Sequence, residues 1–284
     1  MTITAEPATQ AFTTRPIHPT FGLEISGLDI TRPLDPATVA TLSELVTRHK
    51  VLVFKGQAAD TAKLNAFAAH FGDTDQEGPA VARQNARSDN VTRLGTQESG
   101  ARPNGYSTVA EFWHTDSSWR PVPTWLSVLA AAVLPEEGAG TAFADMGAAW
   151  EALPEDRKAF LEGKQMVHDF RSLRRCEPSI PEMGDAAPPP VSHPLVRTIE
   201  GRKSLFLNGH TCFWVGNMKQ DEGEALFKEL MAHATQPQFV YEHRWAIGDV
   251  AMWDNRTTMH RGMPHDWTKP RAMYRAEVIG TEAP

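Results

Sequence analysis

The chain has 284 residues, of which 41% are hydrophobic and 22% are charged, a composition typical of a globular protein rather than a disordered or fibrous one. Its formal net charge of -7 is spread without a basic block, which argues against nucleic acid as a partner because phosphate binding needs a basic patch. Two cysteines are too few for a disulfide framework, no run approaches the ~18 apolar residues of a membrane span, and the N-terminus does not resemble a secretory signal, so a cytoplasmic location is predicted.

The N-terminal part of the chain predicts a polar tail followed by short elements. Residues 1–14 are expected to form a flexible tail, and residues 15–284 a single domain. Residues 17–31 contain short strand-like stretches separated by a turn. A helix is predicted to follow, because Asp35 is a favourable N-cap residue and Pro36 suits the first helical position.

A buried strand and a second helix are predicted next, before a long polar segment. The sequence VLVF at 51–54 indicates a buried strand, and the helix after it has one apolar face and is expected to end at Gly72. Residues 73–111 are rich in Gly, Asn, Arg, Ser and Gln and show no sustained hydrophobic period. A loop of this length inside a compact domain is usually functional, so we expect residues 73–111 to form a flap over the active site.

Strand-like segments dominate the second half of the chain, at residues 125–133, 195–199, 204–208, 239–245, 249–253 and 272–279. Helical patterns interrupt them near 146–162 and 221–234, where Asp221 with Glu224 resembles a capping box. Helices followed by many short strands predict a mainly β fold with flanking helices, and a jelly-roll barrel fits this order best. A parallel α/β sheet is the alternative, but its strands and helices would have to alternate.

The segment FWHTD at 112–116 carries the most informative chemical motif. Residues i and i+2 of an extended backbone point to one face, so His114 and Asp116 can reach one metal ion from one strand edge. A second histidine from elsewhere would complete a two-histidine, one-carboxylate triad, which leaves positions open on iron(II) for a co-substrate and oxygen. Taken alone, the motif is also compatible with a surface turn or a structural histidine.

Two later segments supply the remaining candidates. Residues 248–262 predict a strand, a polar turn and His260, which has the chemistry of the third metal ligand, although a core or surface histidine is the alternative. In the strand at 271–278, a period of two puts Arg271 and Arg275 on one face. Two buried arginines need anions, and arginine forms bidentate pairs with carboxylates, so this face is predicted to bind one or two anions. A solvated edge strand is the alternative.

Together these motifs resemble the taurine dioxygenase and phenoxyacetate dioxygenase family of Fe(II)/2-oxoglutarate-dependent oxygenases. The likeness is carried by HPTFGLEISGLDI at 18–30, FWHTDSSW at 112–119, VLPEEGAGTAFADMGAAWEALP at 133–154, HPLVRT at 193–198, WDNRTTMHRG at 253–262 and RAMYRAEV at 271–278. The resemblance implies a double-stranded β-helix, which is a cupin-like jelly roll with flanking helices. It also implies Fe(II) as the metal, with 2-oxoglutarate and O2 as co-substrates.

The resemblance also implies roles for individual residues. It assigns the iron ligands to His114, Asp116 and His260, the partners of the distal 2-oxoglutarate carboxylate to Thr141 and Arg271, and the partner of the substrate's acidic group to Arg275. Trp253 falls on a tryptophan near the iron centre, where plain core packing is our preferred interpretation.

The substrate side of the resemblance is less complete. Taurine enzymes carry a histidine and a tyrosine before the metal motif, whereas residues 73–111 contain no histidine and only Tyr106 as a tyrosine. This argues against taurine and favours a carboxylate as the substrate. The segment LNGHTCFW at 207–214 resembles one that lines the family's pocket, so Tyr106, His210 and Phe213 are candidate substrate contacts, with a structural role as the alternative for His210.

The predicted reaction is hydroxylation of a C–H bond in a small anionic substrate, with release of succinate and CO2. Asp116 favours oxygenation, because related halogenases replace this carboxylate with a small residue. Alternatives at the same iron are desaturation or another oxidation of an amino-acid-derived or natural-product carboxylate, or cleavage of a sulfonate or alkyl sulfate. A non-catalytic jelly-roll binding protein and a zinc hydrolase are alternatives of other classes. No nucleic-acid or membrane partner is predicted, and a homodimer or homotetramer is compatible with the sequence.

Overall fold

A computed structural model describes residues 11–75, 87–88, 90–96, 108–212 and 214–284. Most of the predicted flap, residues 1–10 of the predicted tail, and the candidate substrate contacts Tyr106 and Phe213 lie outside the described residues. Among the helices of the described ranges, none has the length and apolar character needed to cross a membrane.

The described residues form strands β1 to β15 and helices α1 to α6. The strands are β1 Thr13–Pro16, β2 Leu23–Ser26, β3 Val51–Phe54, β4 Arg87–Ser88, β5 Val91–Thr96, β6 Thr124–Val133, β7 Thr141–Asp145, β8 Gln165–His168, β9 Val191–Pro194, β10 Val196–Ile199, β11 Arg202–Leu205, β12 Val240–His243, β13 Val250–Asp254, β14 Thr258–Gly262 and β15 Arg271–Ile279. The helices are α1 Pro36–His49, α2 Thr61–Ala69, α3 Met146–Glu151, α4 Glu155–Leu161, α5 Leu173–Cys176 and α6 Gln220–Ala234. Short 3-10 turns lie at Phe170–Ser172, Gly184–Ala186 and Pro237–Phe239.

Two sheets enclose the centre of the molecule. Within the described residues, the larger sheet has the strand order β1-β2-β3-β13-β6-β15-β5-β4, and the smaller sheet has the order β12-β7-β14. Strands β2 and β3 run parallel, whereas β13, β6 and β15 at the centre of the larger sheet are antiparallel to their neighbours. Outside these sheets, β8 pairs with β9 and β10 with β11. This arrangement confirms the predicted mainly β fold with a jelly-roll core and flanking helices.

The central strands of the larger sheet are covered on both faces. On β13, Val250 and Met252 pack in the layer formed with helices α1 and α2, whereas Ala251 and Trp253 pack between the two sheets. Strand β3 divides its side chains between the same two layers. Burial on both faces explains why the sequence at 51–54 is continuously apolar instead of alternating.

The smaller sheet lies between the inter-sheet core and helices α3 and α6. On β7, Phe143 packs in the inter-sheet core, and its neighbour Ala144 packs in the layer with the helices. On β14, Met259 belongs to the helix layer. A period of two therefore turns the next side chain, His260, toward the inter-sheet core, where its ring lies 6.3 Å from that of Phe143. The fold thus delivers a histidine to the interior of the barrel.

The beginning of helix α1 confirms the sequence prediction. The Asp35 carboxylate accepts hydrogen bonds from the backbone N–H groups of Ala37 and Thr38, and Pro36 is the first helical residue. A second oxygen of the carboxylate accepts the Thr38 hydroxyl proton at 2.6 Å. Asp35 therefore accepts hydrogen bonds from backbone N–H groups that have no acceptor within the helix.

Two helix boundaries differ from the predictions. Helix α2 ends at Ala69 instead of Gly72, because the next two backbone N–H groups bond three residues back, in the tighter geometry of a 3-10 turn. The predicted capping box at Asp221 is wrong: Lys219 is the N-cap residue and makes no side-chain capping bond, and Asp221 lies inside the first turn. An acidic side chain there still interacts favourably with the positive end of the helix dipole.

Several elements had weak sequence signals. Strand β1 begins at Thr13, inside the predicted tail, and pairs with β2. Strands β4 and β5 lie inside the polar segment 73–111, where no hydrophobic period indicated them. The helical stretch predicted near 146–162 is divided into α3 and α4, because Pro154 has no N–H to donate and cannot continue the first helix.

Candidate active site

A backbone bridge brings the two histidine-bearing segments together. The His114 N–H donates to the carbonyl oxygen of His260 at 2.9 Å, and the His260 N–H donates back to the carbonyl oxygen of His114 at 2.7 Å. The two reciprocal bonds make His114 and His260 a hydrogen-bonded antiparallel pair, so the two residues lie directly opposite each other and their side chains are neighbours. Their ring centroids lie 4.1 Å apart. The segment that precedes β6 is therefore attached to the edge of β14.

The period of two then brings Asp116 to the same point. The ligand atoms of His114, Asp116 and His260 all lie within 4.8 Å of one another, and the three residues are buried. His114 Nε2 is 3.9 Å from Asp116 Oδ1, and His260 Nε2 is 3.5 Å from Asp116 Oδ2. His114 Nδ1 donates to the carbonyl oxygen of Phe112 at 2.7 Å, which leaves the Nε2 lone pair directed at the cluster.

Burial sets the charges of these three groups. Desolvation lowers the pKa of both His114 and His260, which favours the neutral imidazole that metals bind. Desolvation also opposes ionisation of Asp116, but Arg275 and the two histidines outweigh it and hold the pKa of the carboxyl well below its usual range. Two neutral imidazoles and one carboxylate form the donor set of a non-haem iron(II) triad.

Arg271, at the start of β15, has an unpartnered donor. Its Nε is buried and has no hydrogen-bond partner among the described residues. Desolvation lowers the pKa of the guanidinium to about 10, although Glu111 opposes the shift. A desolvated guanidinium with free donors is a favourable site for a carboxylate from a bound molecule.

Thr141, the first residue of β7, is buried and faces the same cavity as Arg271. The indole Nε1 of Trp245 donates to the Thr141 hydroxyl oxygen at 3.0 Å. Because that bond occupies the oxygen as an acceptor, the hydroxyl proton remains available for a second acceptor. Thr141 is thus prepared to donate a hydrogen bond into the cavity.

Arg275 differs from Arg271, because two protein carboxylates contact it. Its Nη1 donates to Asp116 Oδ1 at 2.8 Å, and its Nη2 lies 3.0 Å from Glu277 Oε2. The charge of Arg275 is therefore already compensated by carboxylates of the protein. The Nε of Arg275 is nevertheless buried and has no partner within the described part of the chain.

A cavity of about 170 Å³ joins these groups. Its polar wall includes His114, Asp116, Thr141, His210, His260, Arg271 and Arg275. Its apolar wall includes Leu94, Val109, Trp119, Leu129, Phe170 and Leu173. A few convergent polar groups on an apolar wall are typical of a site for a small organic molecule.

Two residues singled out from the sequence border this cavity in different ways. The His210 ring packs against that of His114 in a tilted arrangement, with 4.5 Å between ring centroids. Its Nδ1 has no partner among the described residues, and burial lowers its pKa. Trp253 is fully buried in the inter-sheet core, with its ring edge-on to Phe143, and also borders the cavity. Core packing and proximity to the metal ligands therefore both describe Trp253.

Glu277 is a cavity residue that the sequence interpretation missed. It lies two residues after Arg275, so the same period of two could have identified it. Its Oε1 accepts hydrogen bonds from the hydroxyl groups of Ser117 and Thr124, each at 3.3 Å. Burial raises the pKa of Glu277, although Arg275 opposes the shift. The face of β15 therefore carries two cations and one acid.

Comparison with known proteins supports the chemistry that these residues fit. The chain matches the family described as taurine catabolism dioxygenase TauD, TfdA family, over residues 13–276. It is 36% identical over 277 residues to an alpha-ketoglutarate-dependent 2,4-dichlorophenoxyacetate dioxygenase of Burkholderia sp. (strain RASC), covering 93% of each protein. It is 32% identical over 287 residues to an (S)-phenoxypropionate/alpha-ketoglutarate-dioxygenase of Sphingobium herbicidovorans, covering 96% of each.

A solved structure agrees with this. The structure of AAD-2 in complex with Mn(II) and N-oxalylglycine is similar with a TM-score of 0.89 and 34% identity, over 97% of this chain and 99% of that chain. Enzymes of this kind use Fe(II), 2-oxoglutarate and O2, and the His-Asp-His cluster provides a matching donor set. The chain therefore belongs to the TauD/TfdA family and is an Fe(II)- and 2-oxoglutarate-dependent dioxygenase.

Proposed function

We propose that this dioxygenase hydroxylates a C–H bond of a small carboxylate and releases succinate and CO2, with His114, Asp116 and His260 as the iron ligands. The observation that carries the proposal is that these ligands and both arginines of β15 line one cavity. Iron(II) with 2-oxoglutarate and O2 supplies the oxidising chemistry when bound. The residues of the chain bind and orient the two organic acids and exclude water.

In this proposal, Arg271 and Thr141 hold the distal carboxylate of 2-oxoglutarate. The buried Nε of Arg271 has no hydrogen-bond partner in the part of the chain that the structure describes, and a guanidinium offers paired donors that match a carboxylate. The Thr141 hydroxyl has a proton to donate because Trp245 already occupies its oxygen. The other end of 2-oxoglutarate would then lie toward the candidate iron ligands on the same cavity wall.

The acidic group of the substrate is proposed to bind at Arg275. Two of its nitrogens contact Asp116 and Glu277, and its Nε, which none of the described residues contacts by a hydrogen bond, is proposed to donate to an acceptor in the cavity. The Nδ1 of His210, which has no partner among the residues that the structure describes, offers a second polar contact. Relatives of matching length act on phenoxyacetates and phenoxypropionates, which combine a carboxylate with an aromatic ring.

The apolar wall suits the hydrophobic part of such a substrate. Trp119 and Phe170 pack edge to face, with ring centroids 5.2 Å apart, and both line the cavity with Leu173. An aromatic ring held there would displace water from the reacting carbon. Tyr106 and Phe213 stay sequence-based candidates for the same wall.

Other outcomes at the same iron are desaturation, another oxidation of an amino-acid-derived or natural-product carboxylate, and cleavage of a sulfonate or alkyl sulfate, since arginine binds sulfate-like groups as well. The two free cysteines, Cys176 and Cys212, are the reason to propose a cytoplasmic location. A homodimer or homotetramer is the proposed assembly.

A substrate panel tests the proposal. Iron-loaded protein and 2-oxoglutarate are incubated with phenoxyacetates, phenoxypropionates, aliphatic carboxylates, sulfonates and alkyl sulfates, and succinate is measured with and without O2. A carboxylate should give the largest O2-dependent rise in succinate, and its product should gain one oxygen atom. A neutral molecule as the best substrate, with Arg275→Ala fully active on it, would refute the anchor. If none of the compounds led to succinate formation, a non-catalytic binding protein would be favoured.

A further inference from the structure

Behind the Asp116 carboxylate lies a closed ring of hydrogen bonds. The backbone N–H of Asp116 donates to Asn255 Oδ1 at 3.1 Å, and Asn255 Nδ2 donates to Ser127 Oγ at 2.9 Å. The Ser127 hydroxyl donates to Asp116 Oδ2 at 2.6 Å. All three residues are buried. The ring therefore leaves from the backbone of Asp116 and returns to the side chain of the same residue.

Chemistry fixes the direction of every bond in this ring. The Asn255 oxygen accepts from two N–H groups, that of the Asp116 backbone and the indole Nε1 of Trp253 at 3.2 Å, so a flipped amide would set donors against donors. Ser127 accepts from the Asn255 amide, and its own proton is then directed to the carboxylate. Its 2.6 Å bond has the length of a charge-assisted hydrogen bond from a hydroxyl to a carboxylate, ~2.5–2.7 Å.

The ring connects the parts of the chain that bear the metal ligands. Ser127 belongs to β6, and Asn255 lies in the turn between β13 and the histidine-bearing strand β14. Thr115, beside Asp116, donates its hydroxyl to the carbonyl oxygens of Asn255 at 3.0 Å and Thr258 at 2.7 Å. The segment that carries His114 and Asp116 is therefore held to this turn by side chains as well as by the backbone.

We infer that Asn255 and Ser127 are positioning residues that hold the Asp116 carboxylate in the orientation that binds the metal. The inference rests on the proposed role of Asp116 as an iron ligand. Arg275 donates to the other carboxylate oxygen at 2.8 Å, so a carboxylate released by Ser127 would be free to rotate toward that cation. Groups that orient a metal ligand typically contribute ~10–100-fold to metal affinity.

Mn(II) binding to the full-length, metal-free protein tests this inference, with the free ion measured by electron paramagnetic resonance. Ser127→Ala and Asn255→Ala should each raise the Kd for Mn(II) by ~10–100-fold. Ser204→Ala is the matched control, because Ser204 is an equally buried strand serine whose hydroxyl bonds only to a backbone carbonyl in the described structure. The double variant should weaken binding by less than the product of the single effects, because either substitution opens the same ring.

His260→Ala separates failure of the inference from failure of the ligand assignment. Wild-type Mn(II) affinity in His260→Ala would overturn the assignment itself. Lost binding in His260→Ala, with wild-type affinity in folded Ser127→Ala and Asn255→Ala, would overturn the inference alone. Melting temperatures of the metal-free variants identify a variant that does not fold, in which case the other alanine variant decides. A purely structural role would lower the melting temperature and leave the Mn(II) affinity of the folded protein unchanged.

Discussion

Arg271 and Arg275 lie on the same face of β15, yet the protein surrounds them differently. Arg275 has carboxylates on two sides, Asp116 and Glu277. No described carboxylate forms an ion pair with Arg271, and its Nε is unpartnered. Removing a charge from water is costly unless an opposite charge compensates it. The desolvation cost of burying Arg271 would therefore be offset by an anion on a bound molecule.

The pKa shifts of the two arginines express the same contrast. Desolvation lowers the pKa of Arg271 to about 10, and Glu111 only opposes this. Desolvation acts on Arg275 as well, but Asp116 and Glu277 outweigh it and raise the pKa. The two arginines of this strand face thus differ in their surroundings: two carboxylates of the protein contact Arg275, whereas no carboxylate of the described residues forms an ion pair with Arg271.

The largest expected effect concerns co-substrate binding. Arg271→Ala should weaken 2-oxoglutarate binding by ~2–5 kcal/mol, the usual loss when one partner of a buried charge pair is truncated. Arg275→Ala, the matched variant on the same strand face, should leave 2-oxoglutarate affinity close to that of the wild type. Anaerobic titration of the iron-chelate absorption band measures both. Equal affinities in wild type and Arg271→Ala would remove Arg271 from the co-substrate site.

For the free energy of unfolding, Arg275→Ala should have the larger effect and Arg271→Ala the smaller one. Arg275→Ala leaves two buried carboxylates unpaired and should lower the free energy of unfolding of the metal-free protein by ~3 kcal/mol, the low end for a broken buried pair, because its side chain keeps 21% of its surface accessible. Arg271→Ala removes a cation that forms no ion pair within the described ranges, and it should not lower the free energy of unfolding. Urea unfolding followed by circular dichroism compares the variants, and equal losses would mean that the two arginines are paired alike.

Substitution of Glu277 tests whether the paired carboxylates limit anion binding at Arg275. Glu277→Gln keeps the size of the side chain, removes its charge and replaces one acceptor oxygen with an amide donor. A substrate carboxylate at Arg275 should then bind more tightly by ~1.5 kcal/mol, the lower end for close charge pairs. The Kd of the best carboxylate from the panel measures the effect, with 2-oxoglutarate affinity as the internal control. Weaker substrate binding would place the acid group away from this pair.

The smallest effect is expected at Thr141. Thr141→Val removes a neutral hydroxyl and should weaken 2-oxoglutarate binding by ~0.5–1.5 kcal/mol. Trp245→Phe should produce a smaller loss in the same titration, because the indole acts only by orienting the Thr141 hydroxyl. A larger loss in Trp245→Phe than in Thr141→Val would show that the indole contacts the co-substrate directly.

Features set by local periodicity could be predicted from the sequence. The period of two identified His114 with Asp116 and the arginine face of β15, and the Asp35-Pro36 pair located the start of α1. Continuous apolar residues at 51–54 indicated a strand that is buried on both faces. The same period also places Glu277 on this face beside Arg275, although the sequence interpretation did not include it.

Features set by tertiary contact could not be predicted in this way. No period or spacing in the sequence relates Ser127 and Asn255 to Asp116, and only the packing of β6 against the turn before β14 joins the three residues. Strands β4 and β5 carry no hydrophobic period because pairing with β15 and with each other, not amphipathicity, defines them. The predicted capping box at Asp221 was wrong because the N-cap of helix α6 lies two residues earlier, at Lys219.

The reciprocal backbone bridge between His114 and His260 also bears on how the protein acquires its metal. The bridge joins distant parts of the chain, and such non-local contacts form late, because a long loop must close before they stabilise anything. During synthesis His114 and Asp116 emerge from the ribosome well before His260. These two residues remain an incomplete metal site until β14 has been synthesised and has packed into the barrel. Iron loading is therefore expected to follow folding of the barrel, so that occupancy by the metal reports a correctly assembled chain.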